Sequence, residues 1–138
     1  MSRKLNQVVL IDDNETTSFL NNRLLQRLDL AENILLFTNA EQAFAQLWGN
    51  DATATDQRPD LVFVDLKMPG MDGFEFLNQY SQLPAEVRDK TVMTVLTTSM
   101  HSADTSRVAQ YEGVEYLAKP LTEEKLRVLL EKRFEMVG

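Results

Sequence analysis

The stretch LVFVDLKMPGMDGFEFL, Leu61 to Leu77, decides the fold class. It opens on four consecutive apolar residues, Leu61–Val64, with no polar residue among them. A strand with one wet face alternates apolar and polar side chains, whereas a strand covered on both faces is apolar throughout. Asp65 ends the run. Pro69 and Gly70 suit a tight turn, and Gly73 suggests a position with unusual backbone dihedrals at the start of a helix. Phe74, Leu77 and Tyr80 then recur at helical spacing. Buried strand, charged loop and amphipathic helix are the parts of a βαβ unit.

The same alternation extends in both directions. Further apolar runs lie at Val8–Ile11, Ile34–Phe37, Val92–Leu96 and Val114–Ala118. A first helical pattern puts Leu20, Leu24, Leu25 and Leu28 on one face. Ala40, Ala43, Phe44, Leu47 and Trp48 form the cleanest stripe in the chain. A fourth helix, from about Ala103 to Glu112, is weak, with only Ala103, Val108, Ala109 and Tyr111 to bury. The fifth has Thr122 as N-cap and Leu126, Leu129, Leu130 and Phe134 on one face. Five strand–helix alternations predict right-handed crossovers and one parallel sheet with helices on both sides. The polar stretch Gly49–Asp60 joins a helix to a strand within this unit. With no internal repeat and no interdomain linker, residues 1–138 are expected to form one domain.

Composition narrows the function classes. Hydrophobic residues make up 43% of the 138 and charged residues 25%, an ordinary globular balance. There is no cysteine, so disulfides and thiolate metal sites are excluded. The formal net charge of −7 argues against a nucleic-acid partner, which calls for a basic patch. The start, MSRKLNQVVLIDDN, has too short an apolar run for a signal peptide or a membrane span, so neither a membrane partner nor export is expected and the default location is cytoplasmic.

In an open parallel α/β sheet, ligands bind beyond the carboxyl ends of the strands, where the strand order reverses. Asp12 and Asp13 follow the first run, Asp65 the third, Thr97, Thr98 and Ser99 the fourth, and Lys119 and Pro120 the fifth. Singly, each is a common cap or turn former. Together they put three carboxylates, a hydroxyl group cluster and one ammonium at a single sheet edge. Two carboxylates about 4 Å apart repel by roughly 4 kcal/mol at an effective dielectric near 20. Such a cluster raises a pKa or recruits a cation, and oxygen-only ligands favour a hard ion such as Mg²⁺. One aspartate then remains free to react.

The segments VVLIDDN, LVFVDLKMPGMDGFEFL, VLTTS and YLAKP, in this order, resemble the signature segments of response-regulator receiver domains, and the similarity runs from about Gln7 to Phe134. The resemblance implies a flavodoxin-like doubly wound α/β fold, with five parallel strands in the order 2-1-3-4-5 and five helices. It implies that Asp65 is the phosphoacceptor. Asp12 and Asp13 match the acidic pair, with Asp13 the direct metal ligand and Asp12 acting through water. Lys67 matches the position whose backbone carbonyl completes the Mg²⁺ site. Lys119 corresponds to the lysine that pairs with phosphoryl oxygens and whose bond to Pro120 is typically cis. Thr97 matches the switch hydroxyl group, chosen over Thr98 and Ser99 because it directly follows the apolar run, and Tyr116 matches the switch aromatic.

The implied function is phosphorelay signal transduction. A sensor histidine kinase or histidine phosphotransfer protein would donate the phosphoryl group. A downstream protein target would bind the face of the fourth helix, fifth strand and fifth helix. No output domain is expected, and no enzymatic activity beyond self-phosphorylation and autodephosphorylation. Two alternatives stand beside this reading: a receiver-like interaction module that takes no phosphate, and an aspartyl-phosphate phosphohydrolase. The latter generally needs a second acid two residues after the nucleophile, where this chain has Lys67. A nucleotide or flavin module would need a Gly-rich loop after the first strand, which is absent.

Overall fold

A computed structural model describes residues 4–49, 59–98 and 101–134. Ser99, one of the three candidate hydroxyl-bearing residues, and positions 50–58 of the polar connection lie outside the described residues. Five strands, β1 (Leu5–Ile11), β2 (Ala31–Phe37), β3 (Leu61–Val64), β4 (Val92–Thr97) and β5 (Glu115–Ala118), form one sheet in the order β2-β1-β3-β4-β5. Every neighbouring pair is parallel. The helices are α1 (Glu15–Leu28), α2 (Ala40–Trp48), α3 (Gly73–Ser81), α4 (Ala85–Arg88), α5 (Ser102–Ala109) and α6 (Glu123–Phe134).

The sheet divides the core into two layers. On one face Val9, Ile11, Val62, Val64, Met93 and Val95 pack against α2, α3 and α5. On the other, Val8, Leu10, Leu61, Phe63, Val92 and Leu96 pack against α1 and α6. The central strands β3 and β4 are buried at every position, as their unbroken apolar runs require. The edge strands β2 and β5 are only half covered.

Three sequence expectations are corrected. The described residues form six helices, not five: α4 is a single turn after Pro84 with no buried residue, too short to leave a periodic pattern. Its last carbonyl, that of Arg88, accepts the Tyr80 hydroxyl at 2.9 Å. In α1, Leu20 does not join Leu25 in the core. It is 56% exposed, and the buried positions are Ser18, Asn21 and Leu25. In α5 only Val108 is buried, while Ala103 and Ala109 are exposed.

The starts of α1, α2, α3 and α6 follow capping chemistry. Asn14, Asn39 and Asp72 each accept a backbone N–H three residues on, as does Thr122 Oγ1 from Lys125. Gly70 takes the left-handed conformation (φ 76°) that the turn after β3 needs. Gly73 has a different role from the one its type suggests. It lies within α3 and outside the positive-φ residues, but a Cβ there would come within 2.4 Å of the Asp65 carbonyl oxygen. Glycine at 73 lets α3 begin directly against the end of β3.

Candidate functional site

Strand register assembles the site. Ile11 of β1 is paired with Val64 of β3, so Asp12 and Asp65 are the next residues on adjacent strands. The Asp65 N–H donates to the Ile11 carbonyl at 3.1 Å, and the Asp12 N–H to the Phe37 carbonyl at 3.0 Å. Both carboxylates therefore emerge at the carboxyl edge, where the strand order turns from β1 outward in both directions. Asp12 and Asp65 are buried and Asp13 is exposed, and the three offer oxygens lying within 4.8 Å of one another.

Lys119 closes the cluster from β5. Its Nζ donates to Asp12 Oδ2 at 2.6 Å and to Asp65 Oδ2 at 3.0 Å. Burial favours the neutral amine, but hydrogen bonds and charge from Asp12 and Asp65 outweigh it and hold the pKa above the ordinary lysine value. Lys119 is thus a fixed cation. The Lys119–Pro120 bond is cis, as the resemblance implies.

Local backbone holds the acids in place. The Asn14 N–H donates to Asp12 Oδ1 at 2.9 Å, and the Lys67 N–H lies 3.4 Å from Asp65 Oδ1. Thr97 ends β4, is almost wholly buried, and accepts the Lys119 N–H on its carbonyl at 2.9 Å. Thr98, its neighbour, is exposed. Tyr116 is half-buried on β5 in register with Val95 and packs against the layer shared with α2, α3 and α5. The structure therefore brings Asp12, Asp13, Asp65 and Lys119 together in one cluster. Thr97 and Tyr116 stand beside it on β4 and β5.

Sequence reading missed the underside of the site. Ser18 and Asn21, one turn apart on α1, are buried and line a cavity of about 10 Å³ beneath Asp12 and Asp65, at the lower limit for one water molecule. The signal was present as two polar residues at i and i+3 just after the acid pair, on the face that points into the sheet.

The donor chemistry fits a hard divalent ion. All the donors are oxygens, three carboxylates face one ammonium, and the exposed Asp13 leaves one side open to solvent.

Comparison with known proteins places the chain in a family. Residues 8–131 match the family described as response regulator receiver domain. The chain belongs to this family. Among solved structures, the receiver resembles a two component response regulator from Cytophaga hutchinsonii with a TM-score of 0.85 at 28% identity, covering 96% of this chain and 99% of that one. A response regulator receiver protein from Dyadobacter fermentans gives a TM-score of 0.79 at 27% identity, covering 93% and 97%. Sporulation initiation phosphotransferase F of Bacillus subtilis is 32% identical over 79 residues, 56% of this chain and 60% of that protein. Sensor histidine kinase CheAY of Helicobacter pylori is 26% identical over 137 residues, 95% of this chain and 15% of that protein. The receiver thus spans less than two thirds of the length of either relative. The relatives are receivers of two-component phosphorelay proteins, signalling modules, and the acidic cluster fits a phosphorylation site. Among the described residues no helix is long and apolar enough to cross a membrane.

Proposed function

We propose that the receiver accepts a phosphoryl group on Asp65 from a phosphohistidine of a sensor kinase or phosphotransfer protein, and so switches its binding to a partner. The observation that carries this reading is the register of β1 against β3, which sets Asp12 beside Asp65 with Asp13 in one oxygen cluster under the Lys119 ammonium. Asp12, Asp13, Asp65 and the Lys67 backbone carbonyl would hold Mg²⁺. When bound, the ion supplies positive charge against the oxygens of the transferring group.

The residues of the chain do the rest. An Asp65 carboxylate oxygen attacks phosphorus in line, the P–N bond of the phosphohistidine breaks, and its electron pair returns to the imidazole. Lys119, fixed in charge and bonded to both acids, offsets negative charge on the phosphoryl oxygens. A water later attacks phosphorus in line, the P–O bond to Asp65 breaks with its electron pair returning to the carboxylate, and phosphate leaves, so the domain turns over its own acyl phosphate. Thr97, buried at the end of β4, is the hydroxyl donor to a phosphoryl oxygen, and Tyr116 on β5 follows it inward. The phosphorylated state is then read on the face of α5, β5 and α6 by a protein target in the cytoplasm. The helix α5 has Val108 as its single buried residue, so it is only lightly tied to the core and suited to move.

The test is intact-mass spectrometry after incubation with acetyl phosphate and Mg²⁺, on wild type and Asp65→Asn, with an EDTA control. One adduct of about 80 Da, requiring both Mg²⁺ and Asp65, is the expected result for added phosphate. An adduct that persists on Asp65→Asn, or none on wild type, would sink the reading.

A further inference from the structure

Lys125 stands where the start of a helix calls for an acid. Thr122 caps α6, and its Oγ1 accepts the Lys125 N–H at 3.2 Å, so Lys125 is the third residue of the helix. In a Thr-x-x-Glu capping box that position carries a carboxylate that reaches back to the cap. A cation there also faces the positive end of the helix dipole. Glu123 and Glu124 obey the dipole rule and Lys125 breaks it. A broken local rule at a well-formed helix start points to a compensating contact elsewhere.

That contact is on the loop that carries Lys119. Lys125 Nζ donates to the Ala118 carbonyl at 2.7 Å and to the Pro120 carbonyl at 2.9 Å, the two carbonyls that flank Lys119. Among the described residues β5 is an edge strand, paired with β4. The Lys119 N–H points inward to the Thr97 carbonyl, so across the same trans peptide the Ala118 carbonyl points outward to the free edge. Lys125 is its partner there. Lys119 is consequently held from both sides: Thr97 on the sheet side and the Lys125 ammonium on the outer side. Its own ammonium sits at the end of a four-carbon stem, so a small rotation of this backbone displaces it from Asp12 and Asp65.

We infer that Lys125 is a positioning residue for Lys119, clamping the carbonyls before and after it so that the Lys119 ammonium meets the phosphoryl oxygens. The inference rests on the proposed phosphorylation of Asp65. The discriminating variants are Lys125→Met, which keeps the stem and loses the donors, and Lys125→Glu, which completes the Thr122 capping box. If Lys125 positions Lys119, three readouts separate from stability. In metal-free protein, hydrogen exchange at the Lys119 amide quickens about tenfold in both variants. Beryllofluoride affinity falls about tenfold while Mg²⁺ affinity stays within about twofold, because Lys119 serves the phosphoryl oxygens and not the ion. The melting temperature of Lys125→Glu stays at or above that of wild type. Unchanged Lys119 exchange and beryllofluoride affinity in both variants would overturn the inference, as would losses that simply track the melting temperature. Failure of wild type to take phosphate would count against the proposed function instead, since the metal-free exchange measurement still reads the Lys125 clamp.

Discussion

At position 73 a Cβ would lie 2.4 Å from the Asp65 carbonyl oxygen and 2.7 Å from the Leu66 Cα, both backbone atoms that cannot swing away. Gly73→Ala must therefore push α3 off the end of β3, or bend the strand end that carries Asp65. The expected cost is about 1–3 kcal/mol in urea unfolding, the range for overpacking, with slower phosphorylation of Asp65. Gly70→Ala is the control. It meets nothing within 4 Å but must hold φ 76°, so it costs about 1–2 kcal/mol through its own backbone. Equal phosphorylation rates in both variants would show that the contact at Gly73 does not shape the site. The glycine itself was legible in the sequence and its reason was not, because a close approach between two elements is tertiary information. Asp12, Asp65 and Lys119 were legible because strand ends fix their place. Lys125 was not, because a lysine near a helix start reads as a solvated surface charge.

At the scale of elements, α1 shows how a correct helix can be assigned the wrong face. Leu20, Leu24, Leu25 and Leu28 look like the core stripe, yet Leu20 is 56% exposed and Leu25 1%. The helix is rotated so that Ser18 and Asn21 point inward at the end near Asp12, and only its second half packs as an apolar stripe. Leucine spacing could not reveal this, since Ser18 and Asn21 take inward positions along the cavity that Asp12 and Asp65 share with the sheet. Leu25→Ala is expected to cost about 2–5 kcal/mol, as a large-to-small change in a packed layer. Leu20→Ala should stay within about 0.5 kcal/mol, as a surface change. Denaturant titration of both variants checks the pair, and similar losses would mean that α1 is seated the other way. The one-turn helix α4 escaped sequence reading because four residues carry no period. The five strands were legible because both faces of the central ones are covered, which leaves continuous apolar runs.

For the molecule as a whole, the site is a local excess of negative charge that the fold holds together. Three carboxylates offer oxygens within 4.8 Å of one another beside one ammonium, in a chain whose net charge is already −7. Lys119 is bonded to Asp12 and Asp65, so Asp13 is the member that adds repulsion from outside that bridge. Removing its charge relieves the metal-free protein. Asp13→Asn should melt above wild type in EDTA by about one or two degrees, a modest figure because Asp13 is exposed to solvent. Binding of Mg²⁺ at the proposed site should reverse the order. At about ten times its dissociation constant, a ligand specific to the folded state adds about 1.4 kcal/mol to wild type, several degrees for a domain of this size. On the proposed Mg²⁺ site Asp13→Asn loses a ligand and should gain little. The two melting curves therefore cross between EDTA and Mg²⁺. Salt sharpens the interpretation: about 1 M NaCl, with a Debye length of about 3 Å, should close the metal-free gap by screening the repulsion. If wild type melts at the same temperature with and without Mg²⁺, the cluster is not a cation site. If the metal-free gap survives in high salt, its cause is packing around the substituted side chain and not charge.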